Sequence, residues 1–172
     1  MKGEMMESWL KEKEISDNIF ELSEQNIYNM LDYLKNNPSV DKTLVYCYIK
    51  AFYIYTVNLI LQKQKSNLDF NKIYLEYKEK LKLYYKTNSP NISNDMLDDI
   101  LNFFDNSYGL VASVKLEDID DSYEFRHYII NVFELLRMIL ERKSQSVIRE
   151  NIFENYTKII IETTEKIYQY IK

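Results

Sequence analysis

The chain has 172 residues, of which 46% are hydrophobic, 28% charged and 15% aromatic, with a formal net charge of -5. That length and aromatic content suit one globular domain spanning residues 1–172 and exclude a disordered chain. Two Gly and two Pro are too few for the turns of a β-sandwich or barrel, one Cys excludes an internal disulfide or a cysteine-built zinc site, and one His excludes centres needing two imidazoles.

Apolar spacing is helical almost throughout. An amphipathic stretch at Met5, Met6, Trp9 and Leu10 leads into a first long helix, for which Ser16 or Asp17 is the expected N-cap and Ile19, Ile27, Met30, Leu31 and Leu34 the stripe. Asn36-Asn37-Pro38 ends it, because Pro disfavours helix in the residue before it, and Ser39 can cap the second helix. The run Leu44–Leu61 is apolar on every side, so it is either the central core element or a membrane span. Lys50 argues for the core, since a lysine at a bilayer centre costs roughly 2.5–3.5 kcal/mol on insertion scales.

Ser66-Asn67 breaks the pattern, and a third helix follows with Phe70, Ile73, Tyr74, Tyr77, Leu81 and Tyr84 on one side. The segment Thr87–Asn91 closes it. Ser93 caps a short acidic helix that Gly109 is expected to end. Residues 110–120 fit a helical turn, an extended loop or a lone strand. Asp120 or Asp121 then caps a helix to about residue 143, with Tyr128, Val132, Leu135, Leu136 and Ile139 inward. The last helix carries the stripe Ile148, Ile152, Tyr156, Ile159, Thr163, Ile167 and Tyr170. The expected fold is all-α: a compact bundle of five to seven helices around the apolar helix of residues 40–64.

Ile, Lys, Asn and Tyr dominate the composition while Arg occurs four times and Ala twice, the bias of an AT-rich genome such as a low-GC bacterium or its phage. Residues 1–10 lack the basic and apolar regions of a signal peptide, and one Cys suits a reducing, cytoplasmic setting.

Charge is unevenly placed. Between residues 95 and 124 stand nine acids, Asp95, Asp98, Asp99, Asp105, Glu117, Asp118, Asp120, Asp121 and Glu124, against the one base Lys115, so the rest of the chain is net basic. Such asymmetry repels nucleic acid and attracts a basic protein surface, although acids also cap helices and complement their dipoles. The acids lack the Gly-containing spacing of a calcium loop. Glu124-x-x-His127 would put two ligands one turn apart, but a bundle di-metal site uses two such pairs, so no metal or other cofactor is expected. Lys72, Lys78, Lys80, Lys82 and Lys86 interleave with Tyr74, Tyr77, Tyr84 and Tyr85, a pattern able to bind single strands, interrupted by Glu76 and Glu79. Arg137, with Glu134 and Glu141 one turn away, is a structural ion pair, and Cys47 in the most apolar run is an inert thiol. No glycine-rich phosphate loop or nucleophile elbow is present.

Phe125-Arg126-His127-Tyr128-Ile129-Ile130-Asn131 resembles a segment of HEPN-type RNases and their HepT-like relatives, helical and usually dimeric proteins with an R-x-x-x-x-H motif. The resemblance covers these seven residues only and implies that Arg126 matches the phosphate-binding Arg and Asn131 stands where the catalytic His would be. Asn cannot act as a general acid or base near neutral pH, so it implies a degenerate or binding-only member unless His127 serves instead.

The leading expectation is a non-enzymatic protein-interaction domain, a small intracellular regulator or inhibitor of the immunity or phage anti-defence type. Its protein partner is met by Asp95, Asp98, Asp99, Asp105, Glu117, Asp118, Asp120 and Asp121, with exposed tyrosines as anchors. The alternative is an HEPN-like RNA-binding or RNase-like domain, monomer or homodimer, centred on Arg126, His127 and Asn131. A third reading is a ligand-binding bundle with an aromatic pocket near the Tyr-rich second helix.

Overall fold

A computed structural model describes residues 2–35, 40–144 and 150–171. Six helices account for its regular structure: α1 (Lys2–Tyr33), α2 (Lys42–Lys63), α3 (Phe70–Asn88), α4 (Asn94–Ser113), α5 (Ser122–Ser144) and α6 (Glu150–Ile171). The fold is an all-α bundle around α2, which touches all five other helices. Because neighbours surround α2, its residues are buried on every side, Val45, Tyr48, Ile49, Phe52, Tyr53 and Val57 among them. The helix is long and apolar enough to cross a membrane, yet 83% of its apolar window lies inside the bundle.

Cross-helix pairs show successive helices alternating in direction. Along α2, Tyr46 meets Glu24 and Lys50 meets Phe20, so α1 runs antiparallel to it. Cys47 meets the Ile100 carbonyl and Asn58 meets Tyr108, so α4 runs parallel. Tyr48 donates to the Val132 carbonyl while Phe52 packs on Tyr128, so α5 is antiparallel again. Tyrosines dominate the contacts because each fills volume with an aromatic body and needs one hydrogen-bond partner for its tip. Tyr77 finds Ser23 at 2.9 Å, Tyr53 finds Thr163 at 2.9 Å, and Tyr156 finds the Asn26 carbonyl at 3.0 Å.

Two of the expected caps form, Asp69 supplies a further one, and two helix starts differ from expectation. Ser93 accepts from the Met96 N–H, and Asp121 accepts from those of Tyr123 and Glu124. Asp69 caps α3 in the break at Ser66-Asn67. Asp41, not Ser39, caps α2, accepting from the Leu44 N–H at 3.0 Å; Asn36–Ser39 lie outside the described residues. α1 does not begin at Ser16 or Asp17. It is already helical from Lys2, with Ser16 buried and Asp17 paired to Lys80 on α3, because nothing in between stops the helix.

Gly109 does not end α4. The helix continues to Ser113, Gly109 keeps negative φ, and residues 110–113 are helical and not a strand. The reason is packing: Leu97, Ile100, Phe104, Ser107 and Val111 form one buried stripe at three- and four-residue steps, and Val111 lies beyond the glycine. In α5, Tyr128, Val132 and Leu136 are buried as expected, while Leu135 and Ile139 are half-buried. In α6 the buried stripe is Tyr156, Thr157, Ile160, Thr164, Ile167 and Ile171, rotated from the expected one, so that Ile159 and Thr163 are half-buried and Tyr170 exposed. α6 packs on α1, α2 and α5 together, and this three-sided contact sets its rotation. Ile148 and the side chain of Ile152 lie outside the described residues.

Candidate functional site

The acids between residues 95 and 124 fall into two groups. On α4 the hydroxyl of Ser93 serves the helix N-terminus, which leaves Asp95, Asp98 and Asp99 exposed with no basic partner among the described residues. Asp95 in the first turn still complements the helix dipole; Asp98 and Asp99 lie beyond it. Beside them Met96 (59% exposed), Phe103 (39%) and Leu110 (37%) recur every seven residues, which puts them along one edge of the helix. Lys143 of α5 holds its ammonium 5.2 Å from the Phe103 ring. Exposed acids and exposed apolar side chains therefore share the outer surface of α4.

Most of the second group is used inside the fold. Asp105 accepts from Tyr74 and Lys78, both at 2.7 Å. Asp118 accepts from the Asp120 N–H and from Lys63, both at 3.0 Å, and these two bonds hold its carboxyl below the usual carboxylate range. Asp120 lies 3.4 Å from the same lysine, Asp121 caps α5, and Glu124 accepts from the Asp118 N–H. Glu117 is exposed and without a basic partner among the described residues. The exposed apolar neighbours of the free α4 acids are Met96 and Phe103 rather than tyrosines.

Arg126, His127 and Asn131 are all exposed on α5. Five residues apart, Arg126 and Asn131 point about 140° from each other around the axis, given 3.6 residues per turn. His127 packs edge-on against Tyr123 with centroids 4.4 Å apart. The carboxylate of Glu124 is turned to the Asp118 N–H. No group of three His, Cys, Asp or Glu able to hold a metal occurs among the described residues.

On α3 the lysines are largely paired: Lys78 with Asp105, Lys80 with Asp17, and Lys72 at 3.7 Å from Glu12. Tyr77 is buried and Tyr74 and Tyr84 half-buried. Arg137 bridges Glu134 and Glu141 as its spacing suggested. Cys47 is buried, and burial pushes its thiol up to about 12, which favours the protonated thiol over the thiolate near neutral pH.

Sequence reasoning missed a charged centre in the core. Lys50 is 0% exposed; its ammonium lies 2.8 Å from Glu24 and donates to the Phe20 carbonyl at 2.9 Å. It sits 3.2 Å from the Phe20 ring centroid, with the rings of Tyr46 and Tyr77 at 5.3 and 5.7 Å. Tyr46 donates its hydroxyl to the same Glu24 oxygen. Burial pulls Lys50 down to about 7, against the upward pull of Glu24. Phe20 and Tyr84, which stacks on Tyr46, line an open groove of about 440 Å³ between α1 and α3. The one signal in the sequence was a lone lysine in an apolar run; nothing local identifies Glu24, on another helix, as its partner.

No protein-family model, curated protein or solved structure matches the chain.

Proposed function

We propose that the chain is a non-enzymatic protein-interaction domain, a small intracellular regulator or inhibitor of the immunity or phage anti-defence type, that binds a basic protein partner. The observation that carries this reading is the set Asp95, Asp98 and Asp99: exposed, without counter-charge among the described residues, and not needed as caps because Ser93 does that. Unpaired acids raise the encounter rate with a basic surface, and neighbouring Met96 and Phe103 supply apolar area to bury on contact. Glu117 stands past the other end of α4, and Asp105, Asp118, Asp120 and Asp121 act mainly within the fold.

The test is a tagged pull-down from host lysate, with and without nuclease, using the native chain and an Asp95→Lys, Asp98→Lys, Asp99→Lys variant. One protein at stoichiometric yield, insensitive to nuclease and lost with the variant, is expected. A partner held equally by both chains would sink the α4 surface. Captured RNA would shift the reading to Arg126, His127 and Asn131.

A further inference from the structure

Near the junction of α2, α3 and α4 lies an open groove of about 520 Å³, lined by Asn58, Phe70, Asn71, Tyr74 and Tyr108. The groove is open and not enclosed, so a ligand would lie against one wall. Its three rings form one cluster: Phe70 is 5.9 Å from Tyr74 and 6.3 Å from Tyr108, and Tyr74 and Tyr108 meet edge-on at 5.0 Å. None of the rings is fully buried, so aromatic surface remains for a ligand.

The polar groups are two carboxamides. Asn58 donates to the Tyr108 hydroxyl at 3.2 Å and accepts from Gln62 at 3.2 Å, which orients it. The side chain of Asn71 is exposed and has no partner among the described residues. A second orphan lies in the core, outside the groove lining. The hydroxyl of Tyr128 is buried with no hydrogen-bond partner among the described residues. Burial, followed by the nearby phenols of Tyr55, Tyr48 and Tyr108, holds its pKa well above the usual range. Tyr55 in turn packs edge-on against Tyr108 at 5.4 Å, connecting this buried phenol cluster to the groove wall.

Charge narrows the ligand class. No Lys, Arg, Asp or Glu lines the groove, and Lys78, whose ammonium lies 6.0 Å from the Tyr74 ring, is already paired with Asp105, so a phosphate or carboxylate would find no free counter-charge in the lining. Two carboxylates stand beside the lining: Asp105 is taken by Tyr74 and Lys78, and Asp69 accepts from the Asn71 N–H as the cap of α3, so neither has both oxygens free for paired sugar hydroxyls. What remains is aromatic surface for stacking and a carboxamide whose donor and acceptor lie in one plane, the arrangement that pairs with the edge of adenine. We propose that this groove binds a small uncharged planar heterocycle of the nucleobase class, stacked on the Phe70–Tyr74–Tyr108 cluster and read on its edge by Asn71.

The test is titration of the full chain with adenosine, followed by NMR of the side-chain amides of Asn58 and Asn71. A saturable shift of both is expected, with affinity about tenfold weaker in Asn71→Ala, whose exposed side chain makes unfolding no concern. Tyr108→Leu should abolish binding; if circular dichroism shows that it unfolds, Phe70→Leu replaces it. Adenosine monophosphate should bind no tighter than adenosine. The proposal is overturned if adenosine gives no saturable shift up to its solubility limit, if Asn71→Ala binds as well as the native chain, or if methyl glucoside binds as tightly.

Discussion

Two places in this molecule concentrate charge, and they obey opposite rules. Inside, Lys50 and Glu24 meet at 2.8 Å in a cage of Phe20, Tyr46 and Tyr77. Outside, Asp95, Asp98 and Asp99 stand on α4 with nothing basic opposite them among the described residues. The interior lysine must have its partners, because low dielectric makes an unpaired charge costly. The exterior acids are hydrated and need none. A charge in the core thus constrains folding, whereas a charge on α4 is free to serve an encounter.

Breaking the interior pair should have the largest effect. At about pH 6, where Lys50 is still protonated, Glu24→Ala is expected to destabilise the chain by up to about 3 kcal/mol, because it removes the partner of the buried ammonium; the urea midpoint measures it. Replacing both residues, Glu24→Leu with Lys50→Met, should recover most of that loss. If the single variant loses under about 1 kcal/mol, the pair is not a structural requirement.

The pH dependence sharpens the same point. Lys50 sits at about 7 when folded against 10.5 when unfolded, so between those values the unfolded chain binds more protons. Stability therefore rises with pH from 7 toward about 9, by at most about 1.4 kcal/mol per pH unit from this group. Near pH 9 the sign reverses: twelve phenols, among them buried Tyr77 and Tyr156, are raised above 10.0 in the fold, so the unfolded chain loses their protons first and together they outweigh the one lysine. Denaturant melts from pH 7 to about 8.5 should show the rise in the native chain and not in Lys50→Met.

Smaller effects belong to α4. Gly109 is exposed, helical, and has nothing within 4 Å of an added Cβ. Gly109→Ala should therefore stabilise by about 1 kcal/mol, and a loss of stability on thermal melting would contradict its place inside the helix. Smallest of all, Asp98→Lys with Asp99→Lys should shift stability by no more than about 0.5 kcal/mol. A larger loss would mean that these acids serve the fold and are not spare for a partner.

Much of the bundle could be read from residue order because its signals are local. Ser93 and Asp121 cap by bonding N–H groups two or three residues on, and the Arg137 bridge spans one turn. The same locality explains the misreadings. Gly109 has the chemistry of a helix end, but Val111 beyond it is held in the core, and that packing outweighs a glycine's weak propensity. Of the candidate surface, the sequence showed that acids cluster in residues 95–124. It could not show that Lys63 and Lys78, from other helices, neutralise Asp118 and Asp105 while leaving Asp95, Asp98 and Asp99 unpaired.

Residue order by itself determined an all-α chain, most helix boundaries, and the apolar character that sends α2 to the centre, because periodicity and capping act within a few residues. Only the tertiary structure decided which face of α6 turns inward, where the buried Lys50 finds Glu24, which acids stay free, and that Phe70, Tyr74 and Tyr108 come together beside Asn58 and Asn71. Each of those outcomes joins residues from different helices, and the energies that select them, desolvation and close packing, exist only once the helices are in contact.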